Sequence, residues 1–515
     1  MKVFLLFKDR DFLEQGTLPP NADDLVRDLE LDTLIKAMSG DDKALREAVA
    51  PVLLRSLTDP AQILYRQAVL QDCLNQSAVI REIHGLGVEA MEANRKFYRG
   101  LSLRYPSGIL WQSVEALQVF TEILKRLKKV ASRQAPAFKS EGFRAFFATL
   151  EKELDDEYFS VIQRRLKELK FNRGMLISAE LGTGNKGTQY ILRKPLTPTR
   201  GWFRRLFAKR NPAFTIQIHP GDENGAKALG ELRDRGINLV ANALAQSNDH
   251  IISFFSMLRL ELAFYIGCLN LHGQLVQKGA PLVFPTPMET TSHGLSFKGV
   301  YDAALTLTLN RRISGNDLSA DGTDLIIITG ANNGGKSTFL RSLGVAQLLM
   351  QCGMFVPAMA FCASPCSGLF THYKRKEDPL MRSGKLDEEM SRMSEIVDSL
   401  KQNSMVLFNE SFSSTNEREG SEIARLITSA LLERKIRIVF ITHFFDFAHG
   451  LFAKGMATAL FLRAEREAEG VRTFKLIQGQ PLQTSFGADL YQEVFCNPPT
   501  LGGISPSPLG VRTPS

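Results

Sequence analysis

Cysteine is scarce in this chain, six in 515 residues, and the six are scattered at Cys73, Cys268, Cys352, Cys362, Cys366 and Cys496. Cys362-x-x-x-Cys366, with Cys352 and His372 nearby, could suggest zinc, but no second pair at ligand spacing completes a site, so buried reduced thiols are the better reading. No secretory leader is expected either: Met1–Phe7 is apolar but short and has no small-residue cleavage site. No long apolar run is free of charge. The most apolar one, Ile251–Leu271, carries Arg259 and Glu261 and reads as a core helix, not a membrane span. These absences point to a cytoplasmic protein with no membrane partner. Neither sign of charge dominates: 63 basic against 55 acidic residues gives +8, with a pI near 9.1. Such a balance leans toward polyanions such as nucleic acid without requiring one. The remaining composition, 44% apolar and 23% charged, is that of a soluble globular chain with room for roughly two to four domains.

What is present is a phosphate cradle. Leu325–Ile328 are four β-favouring apolar residues that read as a buried strand. Gly330-Ala331-Asn332-Asn333-Gly334-Gly335-Lys336-Ser337 then fits G-x-x-x-x-G-K-[ST], and Lys336–Met350 continues as a helix. The chemistry requires this spacing. Glycines let backbone N–H groups close around phosphate oxygens, and the helix N-terminus adds the positive end of its dipole. Lys336 can reach the β- and γ-phosphates of ATP, and the Ser337 hydroxyl can bind Mg²⁺. The candidate nucleotide-binding set is therefore Gly330 through Ser337, with Thr338.

Two further strands carry chemistry at their ends. Met405–Phe408 runs into Asn409-Glu410, where P-loop ATPases place an acidic pair. Glu410 can polarise the attacking water. Asn409 stands at the Mg²⁺ position as an amide, which can accept from a metal-bound water but lacks the charge. Ile438–Ile441 ends in Thr442-His443, and a histidine there, after a helix predicted over Gly420–Glu433, can sense the γ-phosphate.

The first half is predominantly helical. Val3–Phe7 predicts a short strand. Asp23 or Asp24 predicts the cap of a helix carrying Leu25, Leu29, Leu34, Ile35 and Met38. Asp59-Pro60 opens a helix over Ala61–Asn75, and further helices are predicted over Trp111–Arg133 and Gly142–Lys170. Met175–Glu180, Gln189–Leu192 and Phe214–Ile218 read as short strands between Gly/Thr/Asn turns. Residues 193–210 hold seven basic residues, no acidic ones, and Trp202, Phe203 and Phe207. Basic residues mixed with aromatics can grip a phosphate backbone or rest on a membrane surface; Arg200, Arg204, Arg205 and Lys209 are candidates for phosphate-backbone contacts, against the blander reading of a solvated loop. Glu223–Gln277 lacks proline and predicts one or two very long helices, Leu282–Pro287 a linker, and Pro498–Ser515 a disordered tail.

Together these motifs resemble the MutS family of DNA mismatch-repair ATPases. Thr329–Arg341 is similar to the family's P-loop, Phe355-Val356-Pro357-Ala358 to the segment after its helix, Asn409–Gly420 to its Walker B loop, and Phe440–Phe444 to its Thr-His element. Leu57-Thr58-Asp59-Pro60 with Tyr65-Arg66-Gln67 resembles the start of the helical core in smaller members. The resemblance implies an α/β P-loop (ABC-type) ATPase domain in the C-terminal half, a mainly α-helical core and lever before it, and a small β-rich insertion. It implies a helical core over 1–173, a basic clamp-like insertion over 174–222, lever helices over 223–289, the ATPase over 290–495 and a tail over 496–515. It also implies ATP and Mg²⁺ as cofactors, DNA as partner, and a homodimer whose ATP sites are closed by the opposite subunit. Three departures stand out. No separate mismatch-reading domain is expected before the helical core, so Phe12-Leu13-Glu14 only echoes the family's wedge. Ser383-Gly384-Lys385 echoes the trans-acting segment faintly. Asn409 replaces an Asp, so hydrolysis is expected to be slow.

The leading expectation is a dimeric ATPase coupled to double-stranded or branched DNA in mismatch repair or a related repair or recombination process. Its rival is a nucleotide-gated scaffold with weak hydrolysis and no direct DNA role. A chromosome-structure ATPase is set aside, since only about seventy residues separate the P-loop from Glu410.

Overall fold

The computed structural model describes residues 1–12, 17–98, 105–172, 174–194, 214–331, 334–375, 384–466 and 472–482. In chain order the helices are α1 (Ala22–Asp28), α2 (Leu31–Ser39), α3 (Lys43–Leu54), α4 (Pro60–Asn75), α5 (Ser77–Tyr98), α6 (Pro106–Gln134), α7 (Glu141–Glu153), α8 (Asp156–Glu168), α9 (Glu223–Gln277), α10 (Ala303–Leu309), α11 (Lys336–Gln351), α12 (Lys385–Ser399), α13 (Glu417–Glu433) and α14 (Phe445–Ala453). The strands are β1 (Leu176–Leu181), β2 (Gly187–Arg193), β3 (Thr286–Pro287), β4 (Leu295–Val300), β5 (Asn316–Ser319), β6 (Leu325–Thr329), β7 (Ala360–Ala363), β8 (Leu369–Tyr373), β9 (Met405–Asn409), β10 (Arg437–Ile441), β11 (Ala459–Arg466) and β12 (Arg472–Gln478). Contacts divide the chain into two compact units. One holds Met1–Gly16, Met38–Pro51 and Leu64–Asn270, the other Thr17–Ala37, Val52–Ile63 and Leu271–Ser515.

The first unit is helical. Asp59 accepts from the Ala61 N–H at 2.9 Å, which starts α4 at the predicted place. In α6 the stripe Val114, Leu117, Ile123, Leu124, Leu127 and Val130 is buried, as its spacing predicts, and α6 packs on α5, α7 and α8. The single helix expected over Gly142–Lys170 is two. Asp155 stops the first and caps α8 by accepting from the Tyr158 N–H at 2.7 Å. β1 and β2 form an antiparallel hairpin. The third strand expected there is absent: Phe214–Ile218 is irregular, finds no partner among the described residues, and leaves Phe214 and Ile216 exposed.

α9 is one helix of 55 residues, long and apolar enough by length and composition to cross a membrane. Its most apolar window is 72% buried inside the structure, however, through Phe255, Leu258, Leu262, Phe264 and Tyr265, so it is a core helix.

The strand expected over Val3–Phe7 is also absent, and Glu261 explains why. Its buried carboxylate takes the N–H groups of Leu5 at 2.7 Å, Leu6 at 3.1 Å and Phe12 at 3.0 Å, so they cannot join a ladder. Tyr265 donates to the Leu5 carbonyl at 2.6 Å, and the Arg66 guanidinium donates to that of Leu6 at 3.2 Å. Burial pushes the Glu261 carboxyl up to about 7 from 4.5; the three N–H groups pull the other way and Asp11 adds to the rise. A carboxyl raised in the folded state stabilises it most below the unfolded value. That contribution, about 3 kcal/mol, is lost as pH rises through about 7. Urea unfolding between pH 4.5 and 8 is expected to show this decline, and Glu261→Gln to remove that part of the slope. An unchanged slope in the variant would assign the pH dependence elsewhere.

The second unit is α/β. Its main sheet runs β12-β11-β6-β10-β9-β8, all parallel except β12, and a smaller sheet runs β3-β7-β4-β5. Residues of β6, β9 and β10 are almost entirely buried, as runs of apolar residues in a covered parallel sheet must be. One face carries a phenylalanine-rich core of Phe370, Phe408, Phe412, Phe440, Phe447 and Phe461. Phe408 and Phe440 stack at 4.7 Å between centroids. α11 is buried nearly all round, so its polar Gln347 and Gln351 find internal partners. Gln351 Nε2 donates to the Leu57 carbonyl at 2.9 Å, tying down the Leu57–Pro60 stretch.

Two expectations in this unit change. The helix predicted from Asp23 or Asp24 to Met38 is broken into α1 and α2, with Glu30 at φ 52 between them. Neither Asp caps it. Asn21 holds the cap position but spends its amide on the Leu369 carbonyl at 2.6 Å, anchoring α1 to β8. The Leu282–Pro287 linker is structured, because Val283 bridges Val356 and Thr286-Pro287 pairs with Cys362-Ala363.

Candidate nucleotide-binding site

The parallel strands end at one edge of the sheet, and a staircase of backbone bonds sets their ends side by side. The Lys374 N–H donates to Asn409 O at 3.0 Å, Glu410 N–H to Ile441 O at 3.0 Å, and Thr442 N–H to Ile328 O at 3.1 Å. The residues just past β8, β9, β10 and β6 therefore converge, at the carboxyl edge where open parallel sheets take ligands.

The loop after β6 has a cradle's geometry. Gly330 and Gly335 adopt φ of 116° and 85°, open only to glycine without strain. A Cβ on Gly334 would stand 2.8 Å from that of Ala464, so the backbone must be bare there. α11 begins at Lys336 with Gly335 as its cap, so its first N–H groups and dipole face this loop. Lys336 is buried; its ammonium donates to the carbonyls of Gly330 at 2.8 Å and Ala331 at 2.9 Å. Burial lowers its pKa, and the nearby Glu410 carboxylate opposes that. Ser337 is exposed and Thr338 half-buried on the same turn.

Ser337 Oγ donates to Asn409 Oδ1 at 3.1 Å, which brings the two candidate metal-holding groups together. The donor set suits a hydrated Mg²⁺, with a neutral amide where a carboxylate is usual. Glu410 is held at φ 55, a left-handed conformation that is costly for a residue with a Cβ. His443 Nε2 bonds its carboxylate at 2.8 Å. That bond, opposed by burial and aided by the charges of Lys336 and Lys374, holds the Glu410 carboxyl below the usual carboxylate range. It is therefore ionised at neutral pH.

The segment after Glu410 is braced from both sides. Asn416 caps α13 by accepting from the Glu419 N–H at 3.0 Å, so the helix starts three residues before the predicted Gly420. Glu417 accepts from the Phe445 N–H at 2.9 Å, linking α13 to the start of α14. A Cβ on Gly420 would meet the Phe444 ring at 2.4 Å, which makes glycine obligatory there. His372, on β8, bonds Ser411 Oγ at 2.8 Å and the Glu389 carbonyl at 3.0 Å; burial lowers its pKa to about 4, so it is a neutral structural histidine.

The structure thus gathers Gly330, Ala331, Gly334, Gly335, Lys336, Ser337, Asn409, Glu410 and His443 at one edge. Asn332, Asn333, Ser383, Leu13-Glu14, Arg200, Arg204, Arg205, Lys209 and the 496–515 tail lie outside the described residues. Sequence reading missed Lys374 and Arg341. The β-favouring run Leu369–Tyr373 was the available signal for the first, and for the second the i+4 spacing from Ser337 on α11.

A family model of the MutS2 N-terminal domain matches residues 58–278, and one of MutS domain V matches residues 326–498. The chain is 32% identical over 169 residues to a DNA mismatch repair protein MutS of Thermus aquaticus, covering 32% of this chain and 20% of that protein. It is 27% identical over 195 residues to MutS protein homolog 4 of Mus musculus, covering 35% of this chain and 20% of that one. The matched part is about a fifth of the length of these relatives.

Proposed function

Because the chain belongs to the MutS family of DNA mismatch-repair ATPases, we propose that it binds and hydrolyses ATP and couples this to DNA. The observation that carries the reading is the pairing of Ser337 with Asn409 and Glu410 with His443 beside a glycine cradle. Backbone amides from Asn332 to Ser337, the start of α11 and Thr338 would hold the phosphates, with Lys336 leaving its carbonyl partners to reach them. Ser337 and Asn409 would hold Mg²⁺, which when bound neutralises charge on the phosphoryl oxygens. Glu410 would take the proton of the attacking water, and His443 would orient that carboxylate and sense the γ-phosphate. The ATPase would occupy 290–495, after the helical core (1–173), the β-rich insertion (174–222) and the lever helices (223–289), and act as a homodimer with composite sites.

DNA would be gripped by the 174–222 insertion through Arg200, Arg204, Arg205 and Lys209. Replacing these residues is expected to weaken binding and flatten its salt dependence by about one unit of slope per lost contact. Unchanged affinity at low salt would remove the patch. The neutral Asn409 favours a second reading, a nucleotide-gated scaffold with slow hydrolysis. ATPase rates with and without duplex, mismatched and branched DNA separate the two. Stimulation by one form supports the DNA-coupled enzyme; bound ATP with no stimulation and no DNA affinity supports the scaffold.

A further inference from the structure

One charge at this site belongs to no motif. β8 runs parallel to β9 with Tyr373 opposite Asn409, so the next residue, Lys374, stands where the phosphate edge begins. Its N–H is fixed to Asn409 O at 3.0 Å, which sets the root of the side chain. The side chain itself is exposed and has no hydrogen bond or ion pair among the described residues. Its neighbours Arg375 and Tyr373 are turned away from this role. Arg375 pairs with Asp24 and with Glu388 at 3.5 Å, and Tyr373 is half-buried.

The charges facing a triphosphate here are then unusual. Asn409 removes a negative charge that a paired-carboxylate site would carry. The remaining carboxylate, Glu410, is engaged by His443 at 2.8 Å. Two ammonium groups, Lys336 and Lys374, act on it. A metal is thus offered less charge than usual, and a bare nucleotide tetra-anion more.

We propose that the Lys374 ammonium faces the nucleotide phosphates and, with neutral Asn409, lets this site hold ATP with little dependence on a divalent cation. The inference rests on the nucleotide reading above and concerns binding alone. Asn409 lowers the site's pull on a metal, and Lys374 replaces part of the charge the metal would bring. Being exposed, that charge is screened by salt, so metal-free affinity should fall as ionic strength rises.

The test is equilibrium binding of ATP to the full chain, by competition with a fluorescent ATP analogue, in Mg²⁺ and in EDTA. The wild-type Kd is expected to change by less than about threefold between the two conditions. Lys374→Met should weaken binding in EDTA by about tenfold and in Mg²⁺ by much less, while Lys374→Arg keeps the wild-type pattern. Asn409→Asp should make binding strongly Mg²⁺-dependent. The proposal is overturned if Lys374→Met binds in EDTA as wild type does, loses affinity equally in both conditions, or is not rescued by arginine. ATP binding only with Mg²⁺ would overturn it while leaving the nucleotide reading intact. Absence of ATP binding in every condition would overturn both.

Discussion

Glu410→Gln is expected to slow ATP turnover by about 10²–10³-fold while changing nucleotide affinity only a few-fold. The glutamine keeps the volume and an acceptor for His443, but it cannot take a proton from water. Glu410 does not hold the cradle: the loop, Lys336 and the start of α11 do that through bonds that do not involve its carboxylate. Single-turnover hydrolysis measured beside equilibrium ATP binding separates the two effects. Equal loss of both would make Glu410 a binding group. The pH profile supplies a second check. His443 is the first cause of the lowered Glu410 pKa, so the acid limb of turnover should lie low in the wild type and move upward in His443→Ala.

Asp302→Ala is expected to cost the second unit about 3–5 kcal/mol, the range for stripping one partner from a buried ion pair. Asp302 is 1% exposed and performs two tasks. Its Oδ1 caps α10 by accepting from the Leu305 N–H at 2.9 Å, and its Oδ2 accepts from Arg341 Nε. Arg341 lies on α11 one turn beyond Ser337 and also reaches Glu30, between α1 and α2. Removing Asp302 leaves a largely buried guanidinium with one exposed partner and opens the cap. Asp302→Asn keeps the cap acceptor and loses the charge, so its cost should be intermediate. Urea midpoints, with hydrogen exchange over α10 and α11, report the result. A loss confined to α10 would mean that the cap matters and the ion pair does not.

How much of this was readable beforehand differs by element. β6, the P-loop and α11 were legible because contiguous residues make them: glycines where φ is positive, then Lys and Ser where the helix begins. β9 and β10 were legible as four-residue apolar runs, and Glu410 and His443 as the residues that follow them. The Val3–Phe7 strand was misread because its donors go to Glu261, some 250 residues away in sequence. Helix α1–α2 was misread as one helix although the five-residue step from Leu29 to Leu34 breaks its i, i+3/i+4 spacing where the backbone turns at Glu30.

By itself the sequence determined the local chemistry of this protein: a phosphate loop on a helix start, two strands carrying Glu410 and His443, and an uncharged Asn409. Those follow from steric freedom, periodicity and side-chain type over a few residues each. Only the tertiary structure decided that Ser337 meets Asn409, that His443 closes on Glu410, and that Lys374 stands beside them. Those meetings depend on the register of β8 against β9, of β9 against β10 and of β10 against β6, which is set by core packing between distant segments and is not encoded in the spacing of any one of them.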